Sequence, residues 1–267
     1  MKPIARLQLI VTLAAILGIV IYGPIAQLPH YSDFADQRTL LGVPNAANVL
    51  SNLGFAVVGL WGLVVLWPKR RDPMLASGWP GYVLFLVAIV LTAAGSAYYH
   101  LAPDNARLVW DRLPIALACA GLLAGVCAEN NRNVNGGRLA MALALAAAAS
   151  VAWWRFTEQR GSGDLRPYLL LQALTFFLIP MWQVIHRAPR RDIVAFGCAI
   201  GFYALAKVAE INDRELLTAL HLSGHTLKHL LATAATAVIV GLLVSRVRND
   251  QHAQTHADAL SRRPSRL

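Results

Sequence analysis

The sequence carries little charge. Of its 267 residues only 14% are Asp, Glu, Lys or Arg, whereas 57% are hydrophobic, and the mean hydropathy is +0.49. A water-soluble domain of this size carries about 25% charged residues. The shortage excludes an ordinary soluble domain and predicts that lipid covers most of the protein surface.

Cysteine is also scarce, and its placement excludes a disulfide framework. Cys119, Cys127 and Cys198 all lie within apolar stretches. Neither a set of disulfides nor a Cys-type metal site is therefore expected. We interpret the three thiols as packing residues.

The net charge of +10 does not indicate nucleic-acid binding, because the basic residues occur in short runs between apolar stretches. Such runs are typical of cytoplasmic loops beside membrane spans. The membrane is the expected partner, and neither a nucleic acid nor an obligate protein partner is expected. The three main runs are Lys69-Arg70-Arg71, Arg187 with Arg190-Arg191, and Arg262-Arg263 with Arg266.

Eight apolar segments approach the roughly 20 residues needed to cross a bilayer. They predict an all-α integral membrane protein, with a seven-helix transmembrane bundle over residues 31–245 and one extra N-terminal transmembrane helix within residues 1–30. Residues 246–267 are expected to form a disordered basic cytoplasmic tail. The segments are Ile4–Tyr22, Pro44–Trp67, Trp79–His100, Leu113–Ala128, Leu139–Phe156, Tyr168–Ile185, Ile193–Ala209 and Leu217–Val244.

The first segment has two interpretations. Lys2 and Arg6 precede its apolar run, as in a cleaved signal peptide. The run is long, however, and no clear small-x-small cleavage pattern follows it, which favours an uncleaved helix. With the N-terminus inside, 15 Lys and Arg fall in cytoplasmic segments and 7 in outer ones, so both termini are predicted to be cytoplasmic.

Histidines gather where the last apolar segment begins. His221, His225 and His229 follow one another at four-residue intervals and would form a stripe on one helix. Two His at this spacing can bind one zinc ion, with either His221 or His229 as the partner of His225. A polar seam between helices and haem ligation are the alternatives.

A second polar group lies at the same predicted end of the bundle. Ser96 and His100 share a helical face, and Asp111 begins the next segment. With two late histidines, His100 would complete three nitrogen ligands and leave a fourth position for water, as in catalytic zinc sites. Alternatively, Ser96 and His100 form an interfacial cap, and Asp111 complements the helix dipole.

Two further polar clusters lie on the same side. Asp33 and Asp36, followed by the amide-rich stretch from Asn45 to Asn52, would suit a hard cation such as Ca²⁺ or an ordinary solvated loop equally well. A salt-bridge cluster lining the mouth of the site is expected from Lys207, Glu210, Asp213 and Glu215.

The order Ser96-x3-His100-x10-Asp111, followed by His225-x3-His229, resembles the alkaline ceramidases and the wider superfamily that includes the adiponectin receptors. The resemblance runs from about residue 31 to residue 244. It implies a seven-helix bundle with zinc held by His100, His225 and His229. It also implies Ser96 and Asp111 as the catalytic pair.

The resemblance extends to calcium, since Asp33, Asp36 and Asn45 match the positions of a calcium-binding loop in the eukaryotic members. Lys228 replaces an aromatic residue of the family. The short loops and the Pro44–Asn52 stretch look like the bacterial members, so a bacterial inner membrane is expected, with the active site towards the periplasm.

The expected activity is zinc-dependent hydrolysis of the amide bond of ceramide or a related N-acyl lipid taken from the bilayer. The alternative is a non-enzymatic membrane receptor or transporter that uses the same polar site. A retinal-type pigment with Lys228 as the Schiff base is a further alternative.

Overall fold

A computed structural model of the protein describes the backbone of residues 3–131 and 133–261, and the side chains of residues 6–131 and 133–248. These residues form ten α-helices and one 3₁₀ turn, and no strand is found within the described ranges. The helices are α1 (Pro3–Tyr22), α2 (Ala46–Leu50), α3 (Leu53–Leu66), α4 (Trp79–Leu101), α5 (Leu108–Asn130), α6 (Gly136–Glu158), α7 (Arg166–Ile185), α8 (Arg190–Ile211), α9 (Asp213–Leu220) and α10 (Gly224–Ser261).

Seven helical units in the described part of the chain are long and apolar enough to cross a membrane. The first joins α2, α3 and the 3₁₀ turn into Ala46–Lys69, and the others are α4 to α8 and Gly224–Arg248 of α10. Large apolar side chains such as Val64, Phe177 and Leu205 point outwards, where only lipid can cover them. The predicted all-α, multi-pass membrane architecture is confirmed at this level.

Helix α1 stands apart from the seven. It packs on α7, and its apolar part, Arg6–Tyr22, is shorter than the other spans. The predicted extra N-terminal span therefore stays a prediction.

The last predicted segment is two helices rather than one. Helix α9 ends before His221, which has a left-handed φ of 56°, and α10 begins at Gly224. The Ser223 hydroxyl accepts a hydrogen bond from the Thr226 amide at 3.0 Å and so caps the new helix. The predicted stripe of three histidines on one helix is therefore wrong, because the chain turns between His221 and His225.

The end of α10 also differs from expectation. The helix continues through Ser261, where composition predicted a disordered tail from residue 246. Neither Gly nor Pro occurs between Gly241 and Pro264, so no residue in this stretch breaks the helix. Residues 262–267 of the predicted tail lie outside the described part of the chain.

Helices α4 and α5 form the closest pair in the bundle. A Cβ atom built on Gly121 would lie 2.5 Å from the Phe85 amide nitrogen and 2.7 Å from the Gly81 carbonyl oxygen. Only glycine allows the two backbones to approach this closely, as at small-residue interfaces between membrane helices. The helices also pack closely at the other end of the pair, where a Cβ atom built on Gly95 would meet the Trp110 carbonyl oxygen, next to Ser96 and Asp111.

Replacing Gly121 with Val should therefore lower the thermal stability of the protein in detergent. Overpacking typically costs about 1–3 kcal/mol, and here the clash is with backbone atoms that cannot move aside. Gly197→Val in α8 is the matched control, because a Cβ there meets nothing within 4 Å. Equal melting temperatures for the two variants would contradict this account of the α4–α5 interface.

Candidate metal centre

Three buried histidines meet at one end of the bundle, which we call the His end. His100 lies in the last turn of α4, and His225 and His229 lie in the first two turns of α10. Each is at most 4% exposed, and their ring centroids are 4.8–5.0 Å apart. They form the one group of at least three His, Cys, Asp or Glu in the described residues with metal-ligand spacing, with ligand atoms within 4.8 Å of one another.

The distance between the first two ring nitrogens suits a shared metal ion. The Nε2 atoms of His100 and His225 are 3.3 Å apart. Two nitrogens bound to one zinc at about 2.0–2.1 Å with a tetrahedral angle would lie about 3.3–3.4 Å apart. One ligand atom from each of the three rings lies within 4.8 Å of the others, so the donor set fits a metal such as zinc.

Polar groups lie near the Nδ1 atoms of two of the rings, and one of them is within hydrogen-bond distance. The Ser51 hydroxyl lies 2.8 Å from Nδ1 of His229, which leaves Nε2 of His229 for a metal. A Glu210 carboxylate oxygen lies 4.0 Å from Nδ1 of His225. Metal-binding histidines usually have such hydroxyl or carboxylate partners, which set the ring orientation and the tautomer.

The backbone around the histidines is fixed by buried side chains. The Asp213 carboxylate accepts hydrogen bonds from the amides of His225 and Ala35, both at 2.8 Å. It thereby joins the start of α10 to the loop before α2. The Asn48 side chain accepts a hydrogen bond from the Thr226 hydroxyl at 2.8 Å and ties α2 to the same turn of α10.

An aromatic side chain covers the histidines. Phe34, itself 4% exposed, lies with its ring centroid 4.3 Å from that of His225 and 4.7 Å from that of His100. The Asn45 amide donates to the His100 carbonyl at 2.8 Å and fixes the same loop from its other end. The loop therefore separates the three rings from the outside.

A cavity of about 380 Å³ begins beside the histidines and extends into the bundle. Ser96, Asp111 and His229 line its polar end, whereas Phe85, Ile239 and other apolar side chains line the rest. From Ser96 to Phe85 along α4 is a rise of about 16 Å. The cavity thus combines a polar end beside the candidate metal ligands with a long apolar channel.

The proposed catalytic pair lies where the sequence pattern predicts. Ser96 is 2% exposed and Asp111 is 8% exposed. Both side chains line the polar end of the cavity. The two groups come from different helices and face the same cavity.

The three predicted calcium ligands each have another partner. The Asp36 carboxylate receives both Nε (2.9 Å) and Nη2 (2.6 Å) of Arg38, and this hydrogen-bonded pairing lowers the pKa of Asp36 below its ordinary value. Asp33 pairs at the surface with His30 at 3.0 Å, and the Asn45 amide donates to His100. These contacts do not test calcium binding, and the calcium site stays a prediction.

His221, the alternative zinc ligand, and Asp104, an acid in the loop before α5, both lie outside the site. His221 is exposed in the turn before α10, and its backbone carbonyl accepts from Arg38 at 3.3 Å. Asp104 lies in the loop before α5, where it accepts from the Arg107 amide at 2.7 Å. Neither residue lines the cavity.

The expected salt-bridge cluster is confirmed only in part. Glu210 receives Lys207 and Lys228, each at 2.8 Å. Asp213 instead accepts backbone amides, and Glu215 is exposed. The ammonium group of Lys228, the candidate Schiff base, is therefore held in an ion pair.

Sequence reasoning missed the roles of Ser51 and Phe34. The sequence analysis assigns Ser51 to a candidate calcium loop, whereas in the structure its hydroxyl is the partner of His229. Phe34 carries no pattern of its own, since it acts by contacting residues far away in the chain. Only the hydroxyl of Ser51, in a polar stretch at the head of an apolar span, offered a usable signal.

No protein-family model matches this chain, and no curated protein matches it. The chemistry of the site therefore has to be argued from its own residues.

The three histidines predict a clear pattern of metal content. His100→Ala, His225→Ala and His229→Ala should each lose most of the bound metal, because three ligands are needed to hold it. His221→Ala is the matched control and should keep it. Elemental analysis of the purified variants measures the outcome, and loss of metal from His221→Ala alone would contradict the assignment.

Proposed function

We propose that the protein is a metal-dependent membrane amidohydrolase that cleaves ceramide or a related N-acyl lipid into a fatty acid and a free amine. The observation that carries the proposal is the joining of two features: a buried three-histidine cluster and a long apolar cavity that starts beside it. An N-acyl lipid has the same two parts, a polar amide and an apolar chain. The motif resemblance to the alkaline ceramidases supports the same conclusion.

His100, His225 and His229 would hold the metal, which we propose is zinc. When bound, zinc would supply a Lewis acid that activates water near neutral pH. Ser51 would keep the imidazole of His229 in the orientation that this requires.

The residues beside the histidines would handle the reacting groups. Water adds to the amide carbonyl carbon, the C–N bond breaks, and a proton must move from the water to the leaving nitrogen. Asp111 would accept that proton and return it to the amine. Ser96 would donate a hydrogen bond to the carbonyl oxygen as negative charge develops there.

The membrane would deliver the substrate directly. Helix α8 packs mainly on α10 and contacts α7 much less. The cavity is lined on one side by Leu169 and Phe176 of α7 and on the other by Ala199 and Ile200 of α8. An acyl chain already in the bilayer could enter between these helices without crossing water.

Asp111→Asn should separate proton transfer from a structural role. The amide keeps the shape of the carboxylate but cannot carry a proton, so hydrolysis should fall by about 10²–10⁴-fold. Metal content should be unchanged, because Asp111 is not a proposed ligand. The assay is release of fatty acid from an N-acyl lipid in detergent, with elemental analysis on the same sample.

The Asp104→Asn variant is the matched control, since Asp104 lies in the surface loop outside the cavity. It should retain parental activity. Asp111→Asn activity within a few-fold of the parent would contradict the role of Asp111. Failure of the metal-loaded parent to hydrolyse any N-acyl lipid would contradict the proposed function.

We also propose that the His end faces the outside of the cell, in a bacterial inner membrane. The basic runs Lys69–Arg71 and Arg187–Arg191 lie at the opposite end of the bundle, as the positive-inside rule requires for the cytoplasmic side. Reporter fusions after Arg38 and after Arg71 should therefore give opposite signals. Fusions that report the same side would contradict this orientation.

A further inference from the structure

A buried arginine at the polar end of the cavity has no anionic partner. Arg112, the fifth residue of α5, is 4% exposed and lines the cavity. It takes part in none of the ion pairs among the described residues, and its Nη1 atom has no hydrogen-bond partner there. A buried charge of this kind is costly unless it is paired.

The other buried arginine shows what pairing looks like in this protein. Arg246, at the opposite end of the bundle, donates hydrogen bonds to Glu129 at 2.9 and 3.1 Å and to Asp192 at 2.7 Å. It is 7% exposed, close to the burial of Arg112. The fold therefore pairs the guanidinium of Arg246 with two carboxylates, whereas the similarly buried guanidinium of Arg112 has no such partner among the described residues.

Aromatic rings hold the Arg112 guanidinium in place. Its central carbon lies 4.0 Å from the ring centroid of Trp154, 5.2 Å from that of Tyr31 and 5.8 Å from that of Tyr168. Contacts with ring faces stabilise the cation but do not use its N–H groups. The buried Trp154 Nε1 also lacks an acceptor among the described residues.

The polar end of the cavity has an excess of positive charge. Arg112, Lys207 and Lys228 line it, whereas the nearby acids are Asp111 and Glu210. Glu210 is shared between the two lysines, and no carboxylate oxygen of the described residues lies within 4.0 Å of an Arg112 guanidinium nitrogen. A ligand with an anionic head group would supply the missing charge.

We propose that Arg112 binds the anionic head group, a carboxylate or a phosphate, of the N-acyl lipid whose chain fills the cavity. The planar guanidinium suits bidentate pairing with either group. The substrate class would then be N-acyl amino acids or phosphorylated N-acyl amines rather than neutral ceramides. The hydrolytic part rests on the proposed function, whereas binding of the anion does not.

Binding is the first test. N-lauroylglycine, N-lauroylethanolamine phosphate and the neutral N-lauroylethanolamine share one acyl chain and differ in head-group charge. Calorimetry with the purified, metal-loaded protein in a nonionic detergent should show about 10- to 100-fold tighter binding of the better anionic compound than of the neutral one. The ranking of the two anions identifies carboxylate or phosphate as the preferred group.

The variants assign the preference to Arg112. Arg112→Gln should bind the charged and neutral compounds about equally, and Arg112→Lys should keep part of the difference. Arg107→Gln is the matched control, because Arg107 lies in the loop beside Asp104 and outside the cavity. It should bind like the parent. Melting temperature and metal content verify that each variant is folded.

The possible outcomes distinguish a failure of this proposal from a failure of the proposed function. Equal binding of all three lipids by the parent would overturn the role of Arg112, whether or not hydrolysis occurs. A charge preference that survives in a folded Arg112→Gln variant would also overturn it. Charge-selective binding without release of laurate from any of the three would support the anion site and overturn the amidohydrolase.

Discussion

The structure depends on keeping three neutral imidazoles buried side by side among apolar helices. Each ring has a lone pair and an N–H group, and such groups are costly to bury unless they form hydrogen bonds or bind a metal ion. The Nε2 atoms of His100 and His225 are 3.3 Å apart, a separation that suits a shared metal ion. The loop before α2, the turn before α10 and the end of α8 all contact this cluster or the backbone that bears it.

The bundle meets this requirement with short-range packing and a few buried polar contacts. Gly95 lets α5 approach α4 beside Ser96 and Asp111, and both of these side chains line the cavity together with His229. Asp213 then secures the start of α10 through two backbone amides. Beyond this layer the cavity wall is apolar, so the polar end and the apolar channel are spatially separate, as the head group and chain of a lipid are.

Charge is distributed unevenly between the two ends of the bundle. At one end Arg246 is neutralised by Glu129 and Asp192, and this clasp joins α5, α8 and α10. At the other, Arg112 lies among aromatic rings, and the cavity provides the space that an anion would need. The first arrangement stabilises the fold, whereas the second leaves the Arg112 Nη1 atom without a hydrogen-bond partner among the described residues.

The sequence by itself determined the membrane class and the positions of the seven confirmed apolar spans, because hydropathy is a property of short stretches of the chain. The tertiary structure alone decided which polar residues belong together. It separated His221 from His225 by a left-handed turn, placed the Ser51 hydroxyl within hydrogen-bond distance of His229, and paired Asp36 with Arg38. It also placed Arg112 at the cavity with no carboxylate oxygen of the described residues within 4.0 Å of its guanidinium nitrogens. These outcomes depend on contacts between residues distant in the chain or on local backbone turns, and neither follows from residue spacing.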